Sequence, residues 1–219
     1  MEFVRLSVLG GLLGLDGTAV GQFMISRPLV AGWLAGWLAG VPELGVTIGA
    51  ILELYLLVSF PTGGARFPEG STAAVVAVAV ATPFGGGGAV ALAVAMGLVW
   101  GQVGGWSVTV QRRVNGRLVE RMMKVGCSGA GLVRLHLVTV LIDFIRGAVV
   151  TAVGIGVGRF ALGLAETRWP LSAEFSFGGL FIGAAVSLGI LLHDLGGFRR
   201  RRVLFAAGLA LGVVGARFL

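Results

Sequence analysis

Apolar residues run along most of the chain, and short clusters of proline, glycine and charged residues interrupt them. Residues 3–20 predict a glycine-rich first helix, and residues 28–41 and 44–60 predict two further apolar helices. At a rise of about 1.5 Å per residue, neither of these two comfortably crosses a hydrocarbon core of about 30 Å. A pair of re-entrant or tilted helices therefore fits the pattern better than two plain membrane spans.

The second part of the chain predicts mostly longer helices. Residues 61–70 have loop composition, and residues 71–83 form a short run of alanine and valine that stops at Pro83. A glycine run at residues 85–88 follows and predicts a flexible break. The helices predicted after this break are residues 89–110, 135–163, 176–195 and 203–218.

Composition places the chain among membrane proteins. Apolar residues make up 56% of it and charged residues 12%, against about 25% charged in a typical soluble domain. We therefore predict an all-α polytopic membrane protein, with residues 1–219 as one integral membrane domain and broken helices over residues 21–84. The first helix lacks a convincing cleavage site, so we interpret it as retained and not as a signal peptide.

The charge distribution predicts topology. The 17 Lys and Arg exceed the 10 Asp and Glu, giving +7, and they cluster in residues 111–134 and 199–202. The positive-inside rule explains these clusters better than a nucleic-acid partner does, and it assigns both to the cytoplasm. Arg113, Arg117 and Arg121 recur every four residues, which predicts an amphipathic helix on an anionic membrane surface.

The sequence contains none of the usual motifs for a cofactor, a metal ion or a catalytic nucleophile. Cys127 is the only cysteine, and the two histidines, His136 and His193, are far apart. No phosphate-binding loop and no nucleophile triad occurs. We therefore predict neither a cofactor nor a metal.

Glycines recur every four residues between two of the breaks, at Gly32, Gly36 and Gly40. This spacing places them on one face of a helix, where a second backbone can approach closely. We predict that the stripe packs against another helix, within the chain or across a subunit boundary.

The same region carries ionisable residues, which are costly in hydrocarbon unless they have partners or a polar cavity. A carboxylate accepts hydrogen bonds from sugar hydroxyls, so Glu53 and Glu69 are candidate ligand groups. The alternative for Glu53 is a structural ion pair with Arg27, and the alternative for Glu69 is a salt bridge to Arg66.

Two further acidic residues lie within predicted helices. Asp143 and Arg146 are three residues apart and share a helix face, so they either line a pathway or neutralise each other, and we favour the second. Asp16 lies near the end of the first helix, where we expect it to cap the helix or face the membrane interface.

Three segments carry a resemblance to a known family. They are Gln22–Leu29 (QFMISRPL), Gly49–Glu53 (GAILE) and Gly63–Glu69 (GGARFPE), and the later helix with His136 and Arg146 adds to them. Together they resemble the membrane subunit IIC of the mannose-family sugar phosphotransferase system.

The resemblance implies a fold with a mobile core domain and a fixed scaffold domain, in the inner membrane of a bacterium. It implies that the chain carries a hexose-like sugar, that a membrane subunit IID and soluble subunits IIA and IIB are its partners in an oligomeric complex, and that phosphotransfer chemistry belongs to the soluble subunits. The substrate-binding residues it indicates are Gln22, Glu53, Gly63, Gly64, Ala65 and Glu69, supported by Arg27 and Pro28.

Two alternatives to a sugar-transporting subunit stay open, because Pro61 and Ser26 differ from the polar residue and the histidine of the family pattern. The chain is either a transport subunit or a membrane scaffold subunit that keeps the fold without transport. A substrate-binding subunit of another transporter type is the third possibility.

Overall fold

The computed structural model describes residues 1–57, 66–84, 87–126, 128–166, 173–194 and 202–215. These residues form eight α-helices and no strand, which agrees with the all-α prediction. The predicted substrate loop at Gly63, Gly64 and Ala65 lies outside the described residues, as does Pro61. The helices are α1 (Glu2–Thr18), α2 (Pro28–Ala39), α3 (Pro42–Leu56), α4 (Gly70–Ala81), α5 (Gly87–Val125), α6 (Gly129–Glu166), α7 (Ala173–Asp194) and α8 (Arg202–Gly215).

Proline and glycine set the limits of the short pair α2 and α3. Pro28 and Pro42 are the first residues of the two helices, where a fixed φ and a missing N–H are favourable. Gly40 ends α2 with a φ of 77°, a left-handed conformation that suits glycine. With 12 and 15 residues, the helices are about 18 and 22 Å long, so each is shorter than the bilayer core, as predicted.

The glycine stripe packs within the chain. A Cβ atom on Gly32 would lie 2.6 Å from the carbonyl oxygen of Gly45 and 2.8 Å from Cα of Gly49. A Cβ atom on Gly36 would lie 2.8 Å from Cα of Gly45. The predicted contact is therefore confirmed for Gly32 and Gly36, which face α3 in an antiparallel arrangement. Gly40 is different, because nothing lies within 4 Å of its added Cβ and its role is to end the helix.

Helix α4 lies at the centre of the fold. Every residue from Ser71 to Ala81 is buried, and α4 contacts α1, α2, α3, α5 and α6. A helix that is apolar on all sides is stable when other helices surround it. Because Glu69 is the N-cap of this buried helix, its carboxylate enters the interior of the bundle.

The basic segment differs from its prediction. Residues 111–125 continue α5, which is 39 residues long, and residues 129–134 begin α6. No proline interrupts residues 111–125, and most of them favour helices, so the helix runs on until Gly126, which has a φ of 80°. The segment is thus a helical hairpin and not a separate surface helix.

Among the described residues, two helical segments are long and apolar enough to cross a membrane, Ala89–Val125 and Gly129–Ala165. At about 55 Å each, the two segments are longer than a bilayer core of about 30 Å. The ends at which they are connected, which form the hairpin, therefore extend beyond the core. Helix α1 packs closely on α6, since a Cβ on Gly147 would lie 3.0 Å from the carbonyl oxygen of Gly10. Helices α7 and α8 lie close to their predicted bounds.

Candidate functional site

A cavity of about 420 Å³ lies where the end of α1 meets the first turns of α2 and α4. This volume falls in the range of small-molecule sites in proteins. Most lining residues lie at two breaks between helices, one between α1 and α2 and the other between α3 and α4. Helix α5 contributes Arg112. The lining residues are Asp16, Gly17, Thr18, Gln22, Met24, Ser26, Arg27, Pro28, Leu56, Phe67, Pro68, Glu69, Gly70, Ser71 and Arg112.

Asp16 anchors the segment between α1 and α2. Its carboxylate accepts hydrogen bonds from the backbone N–H groups of Phe23 at 2.7 Å and Ser26 at 2.9 Å. Gln22 and Met24 in this segment have φ angles of 54° and 65°, which residues other than glycine rarely adopt. Asp16 is 4% exposed and binds backbone N–H groups beyond α1, so it neither caps that helix nor faces the membrane interface, the two alternatives expected from the sequence.

Arg27 and Glu53 form an ion pair beside the cavity. Glu53 also accepts a hydrogen bond of 3.3 Å from the backbone N–H of Leu29, in the first turn of α2. Arg27 lines the cavity, whereas Glu53 does not. The structural ion pair is therefore the geometry found for Glu53, and its effect is to fix the N-terminal end of α2.

Glu69 is bound at both carboxylate oxygens. Arg146 donates from Nη2 to Oε1 at 2.8 Å and from Nη1 to Oε2 at 3.0 Å, and the Thr72 hydroxyl donates to Oε2 at 3.1 Å. Such a two-point contact fixes both the position and the orientation of a carboxylate. The predicted alternative partner, Arg66, is exposed, and Arg146 occupies its place in the ion pair.

Arg146 joins this carboxylate to a second one. Its Nε donates to Asp143 at 2.7 Å, and its Nη1 also donates to the Ser107 hydroxyl at 2.9 Å. Asp143 in turn accepts a hydrogen bond from Thr18. The pair of Asp143 and Arg146 forms as predicted, but it belongs to a buried network that connects α1, α4, α5 and α6.

Two glycines of α5 make room for the Glu69 carboxylate and the segment before it. A Cβ on Gly104 would lie 2.6 Å from Oε2 of Glu69 and 2.6 Å from the Thr72 hydroxyl. A Cβ on Gly105 would overlap the backbone carbonyl of Phe67. Any side chain at these positions would therefore push the start of α4 away from α5.

Arg112 of α5 lines the cavity beside Phe67. Its guanidinium carbon is 5.6 Å from the centre of the Phe67 ring, a distance at which a cation is attracted to the ring face. This contact connects the hairpin end of α5 with the segment that leads into Glu69.

Four of the predicted site residues line the cavity together: Gln22, Arg27, Pro28 and Glu69. Sequence reasoning missed the contact between Arg146 and Glu69, because the two residues are 77 positions apart and no periodic pattern connects them. It also missed Asp16 as a cavity residue. The signal that could have indicated both is the presence of ionisable residues in helices of a membrane protein, since such groups require partners.

The described ranges contain no group of three or more His, Cys, Asp or Glu side chains that could hold a metal ion. The cavity is instead a site of hydrogen-bonding groups at the ends of broken helices.

The chain matches the model of one family and is similar in fold to several solved structures, two of which are described below. A model of the family described as "PTS system sorbose-specific IIC component" matches residues 1–194. A structure described as that of a membrane protein is 17% identical with a TM-score of 0.75, over 99% of this chain and 92% of that chain. No curated protein sequence matches the chain significantly.

The second similar structure is described as the mannose transporter ManYZ in complex with microcin E492 (MceA). It is 15% identical with a TM-score of 0.62, over 99% of this chain and 92% of that chain. At these identities the two structures establish similarity of fold, and the family assignment depends on the sequence match.

Proposed function

Because the chain belongs to the sorbose-specific IIC family of the phosphotransferase system, we propose that its cavity binds the sugar that this membrane subunit translocates. The observation that carries the proposal is the 420 Å³ cavity with polar groups at the ends of interrupted helices. Interrupted helices at such a position are a common way for a transporter to present polar groups to its substrate.

The two cavity carboxylates have acceptor capacity for sugar hydroxyls. A carboxylate offers about four acceptor sites. Asp16 uses two of them for the N–H groups of Phe23 and Ser26, while Glu69 uses three, for Arg146 and Thr72. Asp16 is therefore the stronger candidate acceptor, and Glu69 contributes one further acceptor in a fixed orientation.

The remaining contacts complete the proposed site. The Gln22 side chain supplies an amide that both donates and accepts, and the proposed loop backbone of Gly63, Gly64 and Ala65 approaches the sugar ring. Arg27 and Glu53 act by holding the start of α2 beside the cavity. The sugar is hexose-like, because a ring with several hydroxyls matches a small cavity with several hydrogen-bonding groups.

The complete transport unit contains more than this chain. In our proposal, a IID-like membrane partner completes an oligomeric complex in the bacterial inner membrane. Soluble IIA and IIB phosphocarriers then phosphorylate the sugar. This chain binds and carries the sugar, and the phosphoryl group comes from its partners.

Substrate protection of an introduced cysteine tests the proposed site. Ser26 lines the cavity, and Ser26→Cys is nearly isosteric. In a Cys127→Ser background, we expect a hexose that the complex transports to slow maleimide alkylation of this cysteine in a saturable manner. The matched control is Ser128→Cys at the exposed end of the hairpin, where the same sugar should leave the rate unchanged.

The opposite results have distinct meanings. Equal alkylation rates with and without every hexose tested would remove the cavity as the sugar site. If the purified complex also bound no sugar, the scaffold alternative would explain the fold without transport.

A further inference from the structure

A ridge of cations runs along one face of α5 in the hairpin. It consists of Arg113, Arg117, Arg121 and Lys124, and all four residues are exposed. At about 100° of rotation per residue, the four positions fall within an arc of about 80°, so they share one helix face. At about 1.5 Å per residue, this cation ridge is about 16 Å long.

Three of the four charges are not balanced within the described part of the chain. Among the described residues, Arg113, Arg117 and Arg121 form no ion pair, whereas Lys124 pairs with Glu120 at 2.7 Å. Like charges four residues apart on a helix repel each other, so the ridge favours anions that come from outside the chain.

Lipid headgroups are one source of such anions, but the ridge is too long for them. The headgroup layer on each side of a bilayer is about 5–8 Å thick. The ridge continues the apolar part of α5 without a break, so it does not lie flat in this layer. Even at a tilt of about 40°, it would extend about 12 Å along the bilayer normal. Because an exposed arginine is costly in hydrocarbon, Arg113 lies no deeper than the edge of the core, and the distal end of the ridge reaches water.

The end of the hairpin also exposes apolar side chains. Met123 and Val125 at the end of α5, and Val133 near the start of α6, are each more than half exposed. Exposed apolar side chains among polar ones are typical of a surface that binds another protein. The ridge therefore fits an acidic protein surface better than a layer of lipid headgroups.

The ridge begins beside the cavity in the sequence of α5. Arg112 lines the cavity, and Arg113 is the following residue. A protein bound along the ridge is therefore held within about one helical turn of the cavity lining. The proposed transport unit needs a soluble protein at this place, because a phosphocarrier and not this chain supplies the phosphoryl group.

We propose that the cation ridge is the docking surface for the soluble phosphocarrier, which binds it through an acidic face. The inference rests on the proposed function, because it assigns the docking surface to a partner of the same transport unit. Charges of opposite sign steer the encounter, so the ridge accelerates association more than it slows dissociation. Docking therefore weakens as the salt concentration rises.

Binding kinetics between the purified complex and its phosphocarrier test the docking surface. The probe is the IIB-like phosphocarrier, and the complex is held in nanodiscs of neutral phosphatidylcholine at physiological ionic strength. The variant carries Arg113→Gln, Arg117→Gln and Arg121→Gln together. We expect its affinity for the phosphocarrier to fall about tenfold, mostly through slower association, because three exposed charge pairs are lost. Hexose binding should stay unchanged, since none of the three residues lines the cavity.

The matched control carries lysine at the same three positions. It keeps the charges, so it should associate with the phosphocarrier nearly as fast as the wild type does. An equal loss with lysine, or equal affinity of the wild type and the glutamine variant, would overturn docking through charge. The difference should persist when the nanodiscs also contain anionic lipid. A difference that occurs only with anionic lipid would assign the ridge to lipid headgroups and overturn the docking surface.

Failure of the proposed function has a different result. The wild-type complex would then bind no hexose, whereas the phosphocarrier would still bind more tightly to the wild type than to the glutamine variant. Binding of the phosphocarrier to neither protein would overturn the docking surface, whatever the result with hexoses.

Discussion

The guanidinium of Arg146 is buried between two carboxylates and is the cation that balances them. Its side chain is 8% exposed, and it contacts the side chains of Glu69 and Asp143, which are 5% and 7% exposed. Arg146→Gln removes the positive charge and leaves two carboxylates buried near each other. The Thr72 and Thr18 hydroxyls still donate to these carboxylates, but they carry no charge to balance them.

Removing one partner of a buried ion pair destabilises a protein by about 3–5 kcal/mol. For a chain of this size, such a loss lowers the midpoint of thermal unfolding by roughly 6–20 °C on the scale of soluble proteins. Arg146→Lys should lie between the wild type and Arg146→Gln, because an ammonium keeps the charge but cannot make the two-point contact with Glu69.

Thermal unfolding of the purified protein in one detergent, followed by intrinsic tryptophan fluorescence, measures the effect. Arg113→Gln is the control, because Arg113 is exposed on the hairpin and a similar loss of charge there should change the midpoint little. The double variant Glu69→Gln/Arg146→Gln should be more stable than Arg146→Gln alone, since it removes one stranded carboxylate. An Arg146→Gln midpoint equal to that of Arg113→Gln would refute the buried network as a source of stability.

Three further predictions follow from the packing and the topology. Gly36→Leu should reduce the yield and thermal stability of the complex by overpacking against Gly45, whereas Gly116→Leu, which meets nothing within 4 Å, should not; equal yields would contradict the packing. Asp16→Ala should weaken hexose binding about tenfold or more, because an acceptor is lost and two N–H groups lose their partner; unchanged affinity would exclude Asp16 from the site. Gly116→Cys, in a Cys127→Ser background, should resist an impermeant thiol reagent added outside sealed cells, and labelling would contradict the predicted cytoplasmic hairpin.

The sequence predicted most of the local structure because local signals determine it. Pro28 and Pro42 interrupt the apolar run and start helices, and the spacing of Gly32 and Gly36 indicated the close contact that α3 provides, whereas Gly40, predicted to share that contact, ends α2 instead. The alanine and valine run after residue 70 predicted a short helix, and only its burial on all sides had to come from the structure.

Other features depend on contacts between distant residues, which no local pattern specifies. Glu69 meets Arg146 across 77 positions, and the glycine at position 104 is explained only by the carboxylate that lies against it. The choice between a ligand role and an ion pair for Glu53 also required geometry, because both readings fit the same sequence. The continuation of α5 through the basic segment, by contrast, was predictable from the absence of a proline there.

Equilibrium binding of a panel of radiolabelled hexoses to the purified complex decides whether the cavity is the sugar site, when it is compared between proteins with the cavity filled and with the cavity open. Gln22→Trp places a bulky ring at an exposed position of the cavity lining, and Gly116→Trp places the same ring on the hairpin, where nothing lies within 4 Å. We expect at least one hexose to bind saturably to the wild type and to Gly116→Trp but not to Gln22→Trp. Binding of no hexose to the wild type, or equal binding to all three proteins, would contradict it.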